Sequence, residues 1–358
     1  MPFQIILGDI TKIKADAIVN AANTDLVRGG GVCGSIFAAA NDKRLEHECR
    51  NIGYCEPGNA VYTKAYGLNA KYIIHACGPV YDANNADNSE KLLRSAYINS
   101  LELAKKLQVE SIAFPLISSG IYGYPKNDAL KVAMEEIIGF VKSTEMSVYL
   151  VLYNKNEYVL DSSRLNQIDS YISMNMPDNQ IRNSSDKVYV NKSYVTNEKS
   201  VIPPRRKYSP REYYDYKYKL YIPPNKENKH TGVIKPQISA FVMNELEETF
   251  SEMLIRLINE KNKSHAEIYK KANIDRRLFS KIKNDREYTP KKQTAIAFAI
   301  ALELSLDEAK KLLHKAGYAL SMSNKFDIII MYFLKMEMYD IFEINEILFE
   351  YDQPLLGV

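Results

Sequence analysis

Apolar and polar positions in the first 175 residues change period repeatedly. Short β-branched and aromatic runs (FQIIL, DAIVN, NAVYTK, KYIIHA, SIAFPL and SVYLVLY) have the length and composition of strands. Between several of them, SIFAAANDKRLEHECR, SEKLLRSAYINSLELAKKL, NDALKVAMEEIIGFVKS and SSRLNQIDSYISM place apolar residues at helical spacing. This alternation predicts an α/β domain over residues 1–175, with a largely buried mixed sheet flanked by helices. Residues 176–236 lose the pattern: Asn, Lys, Tyr, Ser and Pro dominate and no apolar face repeats. A stretch of that length reads as a linker, and its segment RRKYSPREYYDYKYKLY is either a solvated tether or a stacking, cationic contact for nucleic acid. From 237 to 358 the text is helical: LEETFSEMLIRLINEK, HAEIYKKAN, RRLFSKIKN, KKQTAIAFAIALEL, LDEAKKLLHKAG and FDIIIMYFLKMEMYDIFEINEILFE, set apart by Ser264, Asp275, Pro290, Ser305 and Gly317.

Composition narrows the function classes. The 358 residues, 46% hydrophobic and 25% charged, can supply two cores. A formal net charge of +3 leaves any polyanion-binding surface to local patches. No window approaches the roughly 20 apolar residues of a membrane span, and MPFQIILGDITKIKAD starts like a strand without the layout of a signal peptide. Cys33, Cys49, Cys55 and Cys77 lack zinc-type spacing, so four reduced thiols in a cytoplasmic protein are expected, with no metal and no cofactor.

Candidate chemistry concentrates where predicted strands meet helices. GDIT (Gly8–Thr11), NAAN (Asn20–Asn23) and GGGVCG (Gly29–Gly34) supply small residues at such transitions. Glycine lets a ligand approach the backbone, and the free N–H groups of a following helix attract anions. SSGIYGYP (Ser118–Pro125) repeats the arrangement after SIAFPL. Two such loops at strand carboxyl ends make a two-walled cradle for a diphosphate.

With GDIT, DAIVNAANTDLVRGGGVCGSIFAAAN, CEPGNAVYTKAYGLNAKYIIHACGP and FPLISSGIYGYP in register, residues 1–175 resemble a macro domain, the ADP-ribose-binding module. The resemblance implies a three-layer α/β/α fold around a mixed six-stranded sheet. It implies that Asp9, with Ile10 beside it, accepts a hydrogen bond from the adenine amino group, and that Asn23 holds the distal ribose. Gly29, Gly30, Gly31 and Val32 would line the diphosphate and that ribose. Ser118, Ser119, Gly120, Ile121 and Tyr122 would form the second phosphate loop, and Tyr153 would pack on adenine. In the hydrolytic branch GGGV is followed by Asp; here Cys33 takes that place, as a wall residue or as a thiolate that joins the chemistry. Related domains without the acid still hydrolyse, so Asn23 and Cys33 are the catalytic candidates. His75 is expected in the core or on the pocket floor.

The stretch SHAEIYKKANIDRRLFSKIKNDREYTPKKQTAIAFAIALELSLDEAKKLLHKAGY resembles the phage-repressor-like helix-turn-helix class. That resemblance puts Arg276, Arg277, Lys281 and Lys283 on a DNA-contacting helix. The same module type also binds proteins, and the apolar terminal segment is expected to support dimerisation or a partner. The resulting expectation is a cytoplasmic enzyme that binds and hydrolyses ADP-ribose derivatives, either O-acetyl-ADP-ribose or mono-ADP-ribosylated macromolecules. The alternative is a non-catalytic sensor coupled to a DNA- or protein-binding module.

Overall fold

Six strands form one sheet in the order β1-β6-β5-β2-β4-β3, with β1 Phe3–Leu7, β2 Ala17–Ala21, β3 Ala60–Lys64, β4 Tyr72–Ala76, β5 Ser111–Phe114 and β6 Ser147–Leu152. The computed structural model describes residues 3–154, 162–175 and 248–357. The sequence-read linker, with its Tyr/Arg/Lys segment, lies outside the described residues. All pairings are parallel except β3 with β4, so the sheet is mixed as expected.

Side chains alternate across this sheet because the strand period is two. Ala17, Val19, Ile112, Phe114, Val148 and Leu150 join one core with α3 (Ala86–Lys106) and α4 (Lys126–Ser143). Ile18, Ile73, Ala113 and Val151 join a second core with α1 (Gly31–Ala40) and α2 (Lys43–Ile52). Helices therefore cover both faces, giving three layers. Each fully buried Ile or Phe contributes on the order of 1.5–3 kcal/mol.

SIFAAANDKRLEHECR, read as one helix, is two. Asn41 ends α1 in the left-handed region at φ 45°, and the Asp42 carboxylate accepts from Arg44 N to open α2. Both residues favour these roles over a helix interior.

After β6 come α5 (Ser162–Asn175), α6 (Phe250–Glu260), α7 (His265–Lys271), α8 (Arg276–Asn284), α9 (Lys292–Ala301), α10 (Leu306–Lys315), α11 (Lys325–Lys335) and α12 (Ile341–Glu350). Capping boxes at Thr249/Glu252 and Ser305/Glu308 start α6 and α10. The buried α9 forms the middle of the helical core. Lys292 clamps the buried Asp327 of α11, with Nζ 2.6 Å from Oδ1 and 2.7 Å from Oδ2. The terminal segment breaks after Lys335, where Glu337 turns left-handed at φ 53° and Asp340 caps α12. Its apolar residues, expected to support self-association, are buried within this chain: Ile328, Ile329, Ile330 and Phe333 are fully covered, and α11 packs on α5.

The described residues form one compact unit. Asn273, in the turn between α7 and α8, is the joint. Its Oδ1 accepts from Phe3 N at 2.7 Å and its Nδ2 donates to Phe3 O at 2.8 Å, so a side-chain amide completes the free edge of β1 as a neighbouring strand would. Nearby, Tyr269 donates to Glu145 at 2.7 Å, Arg277 lies 3.7 Å from Glu110, and Phe3 meets Phe342 with ring centroids 6.0 Å apart. Phe3 opens β1, Glu110 precedes β5 and Glu145 precedes β6, so these contacts gather at the amino ends of parallel strands. Asn273→Ala would leave two buried main-chain groups of Phe3 unpartnered and is expected to lower the unfolding free energy by about 2–4 kcal/mol. Chemical denaturation checks this; a loss below about 0.5 kcal/mol would contradict the joint.

Candidate functional site

The strand order reverses between β5 and β2, which pair Ala17 with Ile112 and Ile18 with Ala113. Chain leaving β2 enters α1 and α2 on one face, whereas chain leaving β5 enters α4 on the other. Two loops that diverge in this way open a crevice at the strands' carboxyl ends, the usual place for a ligand in an open α/β sheet.

A cavity of about 310 Å³ fills that crevice. Its first wall is Asn23 with Gly29, Gly30, Gly31, Val32 and Cys33; its second is Ser118, Gly120, Ile121 and Tyr122. Gly30 caps α1 without a side-chain bond, so the first-turn N–H groups of the helix open onto the cavity wall. Gly31 begins α1 at φ +59°, in the left-handed region, where a side chain would be strained. The walls nearly meet: a Cβ on Gly30 would stand 3.1 Å from Ile121 Cδ1.

The cavity wall also includes residues that the sequence reading did not name as site residues. Ala21, Ala22, Gly78, Leu116 and Ile117 also line the cavity. Gly78 is the informative one, because a Cβ there would fall 2.3 Å from Ser118 Oγ and 2.5 Å from Ile117 Cγ2. Its lack of a side chain lets the second loop seat against β4's end. Ser118 adopts φ +63°, and its buried hydroxyl has no hydrogen-bond partner among the described residues. Such a group invites a polar ligand atom.

Four of the sequence-read site residues stand outside this cavity. Asp9 caps the turn Ile10–Lys12: its Oδ1 accepts from Thr11 Oγ1 at 2.7 Å and Thr11 N at 2.9 Å, which hold the carboxyl below the usual range. Ile10 is buried in the core beneath. Tyr153 follows β6 and is 76% exposed. Gly8 N donates to Leu152 O, so Asp9 and Tyr153 sit at neighbouring strand ends along the same edge as the cavity. Ser119 donates to Leu116 O at 2.8 Å and serves the loop's own turn.

Asn23 closes the first loop on itself. Its Nδ2 donates to Val27 O at 2.8 Å and its Oδ1 accepts from Val27 N at 3.0 Å. Behind the wall, His75 is fully buried rather than on the pocket floor. Asn20 Nδ2 lies 3.1 Å from His75 Nδ1, and His75 Nε2 lies 2.9 Å from Thr63 Oγ1, which donates to Lys64 O at 3.2 Å. One tautomer satisfies the chain: Nδ1 accepts and Nε2–H donates. Asn20 Nδ2 also points at Cys33 Sγ at 3.7 Å, and that thiol points at Val27 O at 3.7 Å. Cys33 is thus 5% exposed and directed toward the loop's main chain. Among the described residues no cluster of His, Cys, Asp and Glu has the makings of a metal site.

Arg276, Arg277, Lys281 and Lys283 occupy the exposed face of α8, whose Phe279 and Ile282 are buried. They stand with the helical segment at the amino ends of the strands, away from the cavity at the carboxyl ends. Arg277 is turned to Glu110 and Lys281 lies over the Tyr288 ring. No described helix is long and apolar enough to cross a membrane.

The macro domain family profile matches residues 19–133. An uncharacterized protein of Fusobacterium nucleatum is 47% identical over 155 residues, which cover 43% of this chain and 87% of that protein. A protein of Cronobacter turicensis named O-acetyl-ADP-ribose deacetylase is 43% identical over 172 residues, 46% of this chain and 97% of that one. Among solved structures, the Oceanobacillus iheyensis macrodomain with ADP is 36% identical, covers 46% of this chain and 90% of its own, and has a TM-score of 0.42. The chain belongs to the macro domain family. The family match ends at residue 133 and does not extend to the helical segment.

Burial pulls the His75 pKa down from 6.5 to about 4. Between those values the unfolded chain binds a proton that the folded one refuses. Stability from this residue is therefore complete above pH 6.5 and is lost as pH falls toward 4, by up to about 3 kcal/mol. Denaturant unfolding of wild type and His75→Gln across pH 4–7 checks this. The wild type is expected to show the steeper loss, and equal slopes would contradict it.

Proposed function

We propose that the protein binds ADP-ribose derivatives in the crevice between β2 and β5 and hydrolyses them. The candidate reactions are deacetylation of O-acetyl-ADP-ribose and release of mono-ADP-ribose from a macromolecule. The observation that carries the reading is the cavity itself, with two small-residue loops facing one another and the uncapped start of α1 in its wall. That arrangement suits a diphosphate flanked by sugars. The name of the Cronobacter relative, matched over nearly all its length, supports the deacetylation reading.

In this reading the two loops hold the diphosphate, and Asn23 fixes both the first loop and the distal ribose. Water between phosphate and ribose would attack the ester carbonyl or the anomeric carbon, with a phosphate oxygen accepting its proton. Orientation of this kind can contribute several kcal/mol to the barrier reduction. Cys33 is a wall residue here: Asn20 occupies its sulfur and its proton is directed to Val27 O. A buried thiol so held is poorly placed as a base.

The experiment is turnover of O-acetyl-ADP-ribose and of a mono-ADP-ribosylated protein. Asn23→Ala is expected to lower turnover by about a hundredfold and Cys33→Ala by less than about threefold. Absence of turnover above the Asn23→Ala level would reject hydrolysis, and a Cys33→Ala loss as large as that of Asn23→Ala would make the thiol a participant.

A sensor is the second reading, favoured by β1. One end of this five-residue strand leads into Asp9 and the other is held by Asn273. A ligand that orders the Asp9 end would act on the strand that bears the helical segment, and α8 offers a cationic exposed face to nucleic acid or an acidic protein. This reading expects ADP-ribose binding without turnover, together with a ligand-dependent shift in duplex DNA mobility on native gels at low salt. No DNA retention with or without ADP-ribose would remove its nucleic-acid form.

A further inference from the structure

Asn20 of the NAAN stretch stands behind the first wall and is not among the residues that line the cavity. It is fully buried in β2, in register with His75 of β4. Its Nδ2 lies 3.1 Å from His75 Nδ1 and 3.7 Å from Cys33 Sγ, so one amide reaches both the neighbouring strand and the first turn of α1. Cys33 Sγ in turn points at Val27 O at 3.7 Å, and that carbonyl also accepts from Asn23 Nδ2 at 2.8 Å. The His75 ring meets Phe37, one turn further along α1, with centroids 6.3 Å apart. Asn20 is thus the polar group at which β2, β4, α1 and the first loop come together. Its Oδ1 is buried with no partner among the described residues. Such an unanswered carbonyl costs about 1–3 kcal/mol, which a leucine of similar size would avoid. What the amide supplies against that cost is its pair of N–H bonds.

We propose that Asn20 is a positioning residue: through Cys33 it sets where the first turn of α1 presents its main-chain N–H groups to the cavity, and so sets affinity for the diphosphate. The inference rests on the proposed ADP-ribose reading for its ligand. The wall has little else to hold it there. Gly30 opens α1 with no side-chain cap, Gly29 and Gly30 have no side chain to pack, and Gly31 is left-handed at φ +59°. Such a run has much backbone freedom to lose, and N–H groups serve an anion only when they converge on it. Cys33 is the buried polar side chain in this turn, and a Cβ on Gly29 would lie 3.8 Å from its sulfur, so the thiol also backs the glycines. Asn23 keeps its own two bonds to Val27 whether or not Asn20 is present. The amides would hold the diphosphate alike before and during reaction, so the loss of Asn20 falls on binding rather than on the chemical step.

The test compares the full chain with Asn20→Leu, Cys33→Ala and the double variant, by calorimetric titration of ADP-ribose and by turnover of O-acetyl-ADP-ribose. Leucine keeps the volume of Asn20 and removes its N–H donors. Asn20→Leu is expected to raise Kd about tenfold, and KM with it, while kcat changes by less than about threefold. Because Asn20 acts through Cys33, the double variant should bind no more than about twofold worse than Asn20→Leu. Without ligand, amide exchange at Gly30–Gly34 should be at least about fivefold faster in Asn20→Leu and in Cys33→Ala. A Kd of Asn20→Leu within about twofold of wild type, losses that multiply in the double variant, or a fall confined to kcat overturns the proposal. If Asn20→Leu does not fold, Cys33→Ala decides: unchanged exchange at Gly30–Gly34 overturns the proposal. Failure of the wild type to bind ADP-ribose would count against the proposed function and leave the exchange result to judge the positioning.

Discussion

The parallel pairing of β2 with β5 sets the geometry on which everything else depends. Two loops some 90 residues apart in the chain face each other because these strands are neighbours that exit toward opposite faces. The glycines at 29–31 act only within that frame: they let main chain, rather than side chain, form the wall. A shift of either strand by one residue would turn Val19 or Phe114 out of its core layer, so hydrophobic burial also fixes the register of the site.

The molecule has two ends with different tasks. At the carboxyl ends of the parallel strands lie the cavity, Asp9 and Tyr153. At the amino ends Asn273, Tyr269 and Arg277 bring the helical segment onto β1, β5 and β6. The sheet between them is only about 17 Å long, at about 3.3 Å per residue, yet it keeps the helical segment off the cavity mouth. The joint is economical: one amide side chain makes both bonds that a neighbouring strand would offer Phe3, and it protects a free edge that would otherwise invite strand addition.

Much of this was legible in the sequence, for identifiable reasons. The six strands announced themselves through β-branched runs between helical periods, and the two loops through glycine and serine placed after strands. The divisions at Asn41–Asp42 and at Met336–Asp340 were hidden because the apolar period continues across both. A left-handed residue followed by an Asp cap decides them locally. Gly78, Leu116 and Ile117 were missed as wall residues because their role is one of approach, which only the pairing of β4, β2 and β5 creates. Likewise Asn273 meets Phe3 across 270 positions, with no periodic signal to connect them. The terminal apolar helices looked like an interface because sequence does not say that α5 will pack on α11.

The central claim, that main-chain amides of the two loops form the nucleotide site, is tested most directly by titrating ADP-ribose into the isotopically labelled full chain and following its amide resonances. The account predicts saturable shifts largest at Gly30–Val32 and Ser118–Tyr122, with Gly78 among them. No shifts at millimolar ligand, or shifts confined to α6–α12, would contradict it.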